Sequence, residues 1–240
     1  MKIDILTVFP EMFVNFLDTS IIKKAIIRHK VSISVHNIRK YSHSKHHKVD
    51  DTPYGGGEGM VMAFPPLYDA LMALKSKDSV IILLSPQGKV FKQQTARRLA
   101  KNKHLIFICG HYEGVDARVL DYVDFELSIG DFILTGGELA AMVIADAVVR
   151  LIPGVILEDS VKNDSLENHL LKYPQYTKPE NYLGHQVPEV LLSGHHENIQ
   201  KWRNEQALSQ TYHKRKDLYN KAKRIKAVQA LMEKISKNTK

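Results

Sequence analysis

Three short apolar runs, each closed by a glycine-bearing loop, restrict this chain more than any other feature. Val80-Ile81-Ile82-Leu83-Leu84 runs into Ser85-Pro86-Gln87-Gly88, and Leu105-Ile106-Phe107-Ile108-Cys109 into Gly110-His111-Tyr112-Glu113-Gly114. Phe125-Glu126-Leu127-Ser128-Ile129 runs into Gly130-Asp131-Phe132-Ile133-Leu134-Thr135-Gly136-Gly137-Glu138. Runs this short, rich in β-branched residues and continuously apolar, read as strands buried on both faces of a parallel sheet. Open α/β sheets bind ligands beyond the carboxyl ends of their strands. Glycine lets bare backbone approach a ligand. The three loops therefore predict one composite pocket built largely from main chain.

The rest of the first two thirds alternates strand and helix. Residues 2–9 read as a strand, Phe9-Pro10-Glu11 as a turn, and 11–30 as a helix with Met12, Phe13, Phe16, Leu17, Ile21, Ile22 and Ile26 on one face. Val31–Ile38 alternates like a strand. Residues 39–53 are polar, and Tyr54-Gly55-Gly56-Gly57-Glu58-Gly59 is too glycine-rich for regular structure. Helical periods follow at 65–76 and from Lys89 to Lys101. Glu138–Leu151 is alanine-rich and apolar on most faces, as in a buried or interface helix, and Pro153-Gly154 stops it. This order predicts an α/β domain with a mainly parallel sheet over residues 1–157. A linker over 158–172 and a small all-α domain over 173–240, helical from 185, complete the expected organisation.

Charge separates the parts further. The chain carries +8, but residues 201–240 hold 12 Lys and Arg against 3 Asp and Glu, while the other 200 residues hold 22 against 23. A near-neutral body with a basic end suits a polyanion, most simply nucleic acid. A merely solubilising tail would not need Leu218, Ala222, Ile225, Val228 and Met232 at helical spacing. No apolar run is long enough to span a bilayer. The N-terminus reads directly as a strand, without a signal-peptide layout, and the single cysteine, Cys109, lies in an apolar run. A cytoplasmic location and an inert core thiol are expected.

Familiar nucleotide and metal motifs are missing. The glycine loop at 55–59 lacks the Lys-Ser/Thr of a P-loop, and no G-x-G-x-x-G follows the first strand. The twelve histidines, His43, His46, His47 and His195-His196 among them, have no cysteine or carboxylate at ligand spacing, so no metal site is assigned.

Five blocks taken together resemble one family. They are Phe9-Pro10-Glu11-Met12-Phe13; Val49 to Met60 with its glycine loop; Leu84-Ser85-Pro86-Gln87-Gly88; Cys109 to Asp116 together with Ser128 to Leu139; and Val187 to His196. The chain is similar over nearly its whole length to the bacterial tRNA (guanine-N1)-methyltransferases of the TrmD family, of the SPOUT class. The resemblance implies a deep trefoil knot in the later half of the sheet domain, an exception to the rule that chains do not thread their own loops. It implies S-adenosylmethionine held by Pro86, Gly110, Tyr112, Ile129, Gly130, Asp131, Phe132, Ile133, Leu134, Gly136 and Gly137. It implies methyl transfer to N1 of the guanine immediately 3′ of the anticodon, selection for a guanine 5′ to it, a homodimer with shared sites, and dependence on Mg2+, for which the sequence offers no ligand set. Contacts to tRNA are implied for Gly59, Ser165, His195, Lys214, Arg215 and Lys216.

Such a reaction needs a base for the N1 proton and a cation for charge developing on O6. The resemblance places these roles on Asp164 and Arg150. The spacing between them is one residue shorter than the family's, and Asp159-Ser160 is a second Asp-Ser pair. Asp164 is favoured because Leu166 and Leu170-Leu171 continue the family-like pattern. The chain also departs from the family at Phe132 (commonly tyrosine), His111 (arginine), Ala140 (proline) and Lys216 (proline). A knotted methyltransferase for another RNA and a non-catalytic RNA-binding protein are the competing readings.

Overall fold

The computed structural model describes residues 1–157, 165–166 and 169–237. Two compact units divide the chain, Met1–Leu157 and Glu158–Lys240.

The first unit runs β1 (Lys2–Thr7), a 3-10 turn Pro10–Phe13, α1 (Val14–Leu17), α2 (Ser20–Ile27), β2 (Ser32–Asn37), β3 (Asp50–Asp51), β4 (Val61–Met62) and α3 (Phe64–Leu74). It continues through β5 (Ser79–Val90), α4 (Gln93–Leu99), β6 (His104–Cys109), β7 (Phe125–Ser128) and α5 (Glu138–Val149). Five strands form one sheet in the order β2-β1-β6-β5-β7, and every neighbouring pair is parallel. Lys2 stands opposite Ser32 on one side and His104 on the other, and His104 opposite Ser79.

The period of two in each strand feeds two cores. Ile3, Ile5, Leu105, Phe107, Ile82 and Leu84 face one way, under Ile22, Ala25, Ala96, Leu99, Ile144 and Val148 of α2, α4 and α5. Leu6, Ile106, Ile108, Ile81 and Leu83 face the other, under Leu67, Ala70 and Leu71 of α3. This is why the runs are continuously apolar: both faces are covered. Each such leucine, isoleucine or phenylalanine contributes roughly 1.5–3 kcal/mol on burial. Cys109 is fully buried among them, and burial raises its thiol well above the ordinary range.

Several boundaries differ from the sequence reading. The expected helix 11–30 is three pieces, interrupted where Ser20 takes a φ of 51°. The expected helix from Lys89 begins only at Gln93, because β5 does not end at Leu84. Leu84 and Lys89 both pair with Leu127, so Ser85–Gly88 loops out of a strand that resumes at Lys89-Val90. Gly88 packs so closely on β7 that a Cβ would overlap Leu127 N and Glu126 C. The two-residue strands β3 and β4 pair as an antiparallel hairpin beneath the glycine loop, with Asp50 opposite Met62.

The second unit holds β8 (Asn181–Tyr182), β9 (His185–Gln186), α6 (Glu189–Leu192), α7 (His196–Lys214), α8 (Lys216–Ala222) and α9 (Lys226–Lys237). It is not purely helical: β8 and β9 form a short antiparallel hairpin, where the sequence reading starts a helix at 185. Leu208, Ala222 and Val228 make its small core, flanked by Leu170, Ile225 and Leu231.

Candidate active site

At the interruption of β5 and the carboxyl ends of β6 and β7 the three glycine-bearing loops enclose a cavity of about 450 Å³, a size suited to a small organic ligand. The chain reaches it three times. From β5 comes the Ser85–Gly88 excursion, braced by Gln87 N donating to Ser85 Oγ at 3.1 Å. From β6 comes Gly110–Val115, whose His111 N donates to Met62 Sδ at 3.2 Å, while Met62 N donates to Gly114 O at 2.9 Å. These bonds lash the second loop to β4. From β7 comes Ile129–Gly137, which leaves the sheet edge and returns to β6. There Gly137 N donates to Gly110 O at 2.9 Å, and a Cβ on Gly137 would stand 2.8 Å from Cys109 Cα. The return is possible only for a residue without a side chain.

A line of polar groups fastens this crossing from below. Glu138, the first residue of α5, is buried. Its Oε1 accepts from Thr7 Oγ1 at 2.6 Å, its Oε2 lies 2.9 Å from His111 Nε2, and Phe9 N donates to Thr7 Oγ1 at 2.9 Å. Phe9 also meets the His111 ring edge-on at 4.9 Å. Here histidine takes the place of the arginine the family resemblance led one to expect, and its partner is a buried carboxylate. Sequence reasoning missed Glu138 and Thr7 as site-shaping residues. The only local signal was a carboxylate opening a largely apolar helix.

Of the residues assigned by resemblance to S-adenosylmethionine, Pro86, Gly110, Tyr112, Ile129, Gly130, Phe132, Ile133, Leu134, Gly136 and Gly137 line the cavity. Asp131 is exposed and is not among the lining residues. Phe132 and Ile133 are also exposed, and the outer face of α5 leaves Leu139 and Val143 about half exposed, at 49% each. A cavity flanked by bare apolar side chains is open to further covering.

Arg150 is not brought to the cavity. It caps the far end of α5, its N donating to Asp146 O at 3.1 Å. Twelve residues at 1.5 Å each place it about 18 Å along the helix axis from Glu138. Asp164 and the competing Asp159 lie outside the described residues. Gly59, at the end of the glycine loop, lies against the side chain of Glu113.

In the second unit, Ser165 Oγ accepts from Lys172 N at 3.1 Å. His195 is the exposed N-cap of α7, its O accepting from Ile199 N at 3.0 Å. The Lys214-Arg215-Lys216 cluster joins α7 to α8. Arg215 pairs through Nε and Nη2 with Asp217 at 2.9 and 2.8 Å, and that hydrogen-bonded partner holds the Asp217 carboxyl down at about 2. Lys216 Nζ lies over the Tyr212 ring at 5.6 Å, and Lys214 ends α7.

Among the described residues no group of three His, Cys, Asp or Glu side chains could hold a metal ion, so the Mg2+ implied by the resemblance has no protein ligand set there. No helix among them is long and apolar enough to cross a membrane.

Comparison with known proteins adds an independent line. A family model described as tRNA (Guanine-1)-methyltransferase TrmD matches residues 1–221. A tRNA (guanine-N(1)-)-methyltransferase of Aster yellows witches'-broom phytoplasma (strain AYWB) is 54% identical over 224 residues, covering 93% of this chain and 93% of that protein. Similar proteins of the same description occur in Acholeplasma laidlawii (strain PG-8A), 53% identical over 239 residues, and in Halalkalibacterium halodurans (strain ATCC BAA-125 / DSM 18197 / FERM 7344 / JCM 9153 / C-125), 53% identical over 242 residues. Each alignment covers 99% of this chain and 98% of its relative.

Proposed function

The chain belongs to the tRNA (guanine-1)-methyltransferase TrmD family, and on that premise we propose that it methylates N1 of the guanine immediately 3′ of the anticodon in tRNA, using S-adenosylmethionine. The observation that carries this reading is the cavity beside the interruption of β5 and the ends of β6 and β7, lined by ten of the residues at which the resemblance places the methyl donor. The bound donor supplies an activated methyl group on a positively charged sulfonium.

This chain's residues do the rest. The backbone of Gly110, Gly136 and Gly137 forms one wall of the cavity, and Leu134, Ile129 and Phe132 give apolar surface that excludes water. Asp164 takes the N1 proton, and Arg150 faces O6, where its guanidinium stabilises developing negative charge. The target base leaves its stack to enter the site. The glycine loop at 54–59 orders on tRNA binding. The return of the chain from β7 to β6, past the close crossings at Gly88 and Gly137, supports the trefoil knot expected of the family. The second unit, with its basic surplus, binds tRNA backbone.

Because Arg150 stands at the wrong end of α5 to serve its own cavity, the complete site draws Arg150 from a second copy of the chain. The apolar face presented by Leu139 and Val143 supports that homodimer. A cytoplasmic location away from membranes is part of this proposal.

The test uses labelled S-adenosylmethionine with two tRNA transcripts, one carrying guanine 3′ of the anticodon after a guanine, the other with that target changed to adenine. Label confined to the first and mapping to 1-methylguanine is the expected result. Equal label in both would refute the position. Asp164→Asn is expected to abolish turnover while sparing donor binding; if Asp159→Asn does so instead, the base is Asp159.

A further inference from the structure

We propose that the second unit carries a dedicated phosphodiester pocket built around Arg203, separate from the Lys214–Lys216 cluster. It rests on the reading of the chain as a tRNA-binding enzyme.

Ile199, Arg203, Ala207 and Thr211 recur every fourth residue along one face of α7, so their side chains form one row. Residues 171–176 lie along that row. Leu171 N donates to Thr211 Oγ1 at 2.8 Å, and Thr211 is fully buried. Further along, the Tyr173 ring lies 5.0 Å from the Arg203 guanidinium carbon, and Tyr176 packs 6.3 Å from Trp202. Between segment and helix remains a cavity of about 230 Å³, lined by Tyr173, Pro174, Gln175, Tyr176, Leu191, Ile199 and Arg203.

Arg203 is the anomaly in this row. Its Nε is buried and has no hydrogen-bond partner among the described residues. Among those residues no carboxylate forms an ion pair with it. A buried donor on a charged group without an acceptor is costly, and an apolar side chain beside Ile199 and Leu191 would pack there without that cost. What an arginine adds is a rigid fork of in-plane N–H donors. Tyr173 lies against the guanidinium, and an anion entering the cavity that Arg203 lines would supply the acceptor its fork lacks. Gln175, Tyr173 and Tyr176, which also line the cavity, carry donors of their own. The volume admits a phosphate group with several waters, at about 30 Å³ each. Arg203 lies eleven residues before Lys214, about 16 Å along α7. A tRNA backbone held at both places would be fixed in direction as well as in position.

The chain's single tryptophan, Trp202, stands beside this pocket and reports on it. Two measurements on the full chain test the proposal. In the first, tRNA affinity is measured from 50 to 200 mM salt for the wild type, Arg203→Met and Arg203→Lys. Arg203→Met is expected to bind roughly tenfold more weakly, with a salt slope shallower by roughly one, and to keep its melting temperature and S-adenosylmethionine binding. Arg203→Lys is expected to recover the slope but only part of the affinity, since the charge returns without the fork. In the second, inorganic phosphate is titrated while Trp202 emission is followed. A saturable change in the wild type that Arg203→Lys weakens and Arg203→Met lacks supports the pocket.

An unchanged salt slope in a folded Arg203→Met overturns the tRNA contact. If the phosphate response persists alongside that unchanged slope, the pocket takes free phosphate instead. Should Arg203→Met fail to fold, a wild-type slope and affinity for Arg203→Lys overturns the proposal equally. Failure of the wild type to bind tRNA would refute the enzyme reading alone, because the phosphate titration requires no tRNA.

Discussion

Asp4 gathers partners from three adjacent strands. It is fully buried on β1, with His36 Nε2 of β2 at 2.8 Å, His104 Nε2 of β6 at 2.7 Å and Lys2 Nζ at 2.7 Å. Burial pushes its carboxyl up, but the hydrogen bonds from His36, Lys2 and His104 outweigh it and hold the group at about 2. An ionised carboxylate only accepts, so each histidine presents a protonated Nε2, and Ser79 Oγ, 2.7 Å from His104 Nδ1, fixes the ring from its other side. The folded value lies below the unfolded one. Asp4 therefore stabilises the protein above the model-peptide value of 3.8, and that contribution is lost as pH falls toward 2. The shift is worth about 2 kcal/mol. Asp4→Asn should be less stable by up to about that amount near neutral pH, and the gap to the wild type should close below about pH 4 in denaturant titrations run across the acid range. A gap that stays constant with pH would mean the loss is one of packing.

At the level of elements, the strand that resumes after its own loop shows what a one-dimensional reading could and could not reach. The apolar run at 80–84 marked β5 because both its faces are buried. Ser-Pro-Gln-Gly reads locally as the end of a strand, yet Lys89-Val90 rejoins the sheet by pairing with Leu127 and Ser128 of β7. That pairing spans nearly forty residues, and no local period carries it. The same holds for the 3-10 turn and the break at Ser20, which split a face that is periodic on paper. The cavity walls were legible from glycine and resemblance. The Thr7-Glu138-His111 line beneath them was not, because it joins three elements distant in sequence. The crossing makes a sharp prediction: Gly88→Ala drives a Cβ into the backbone of β7 and should cost about 3 kcal/mol, whereas Gln87→Ala in the same exposed loop should change the unfolding midpoint little. At the α7–α8 junction the basic cluster divides likewise. Lys214→Ala should flatten the salt dependence of tRNA binding by roughly one phosphate, while Arg215→Ala should do less, because Asp217 already engages its fork.

For the whole molecule the decisive geometry is the length of α5. Its N-terminus borders the cavity and its C-terminus holds Arg150, so one rigid element separates the donor pocket from the cation assigned to O6 by about 18 Å. A helix of this length, buried along Ala141, Ile144, Ala145, Val148 and Val149, cannot fold back on itself. On the proposed reading the two functions meet across a twofold axis, where each copy offers its pocket to the Arg150 of the other. Complementation between variants decides this. Arg150→Ala should be inactive with an intact pocket. Gly110→Leu should also be inactive, since a Cβ at Gly110 meets nothing closer than Leu84 O at 3.7 Å and the larger side chain occupies the cavity without displacing backbone. Unfolded together and refolded as a mixture, the two should regain about a quarter of wild-type turnover: half of the dimers are mixed, and each mixed dimer has one complete site. If each site lay within one copy, every site in the mixture would carry a defect and no activity would return. Recovery would also place the exposed Leu139 and Val143 in the interface, so that charge introduced at Val143 should abolish turnover and convert the dimer to monomer on gel filtration.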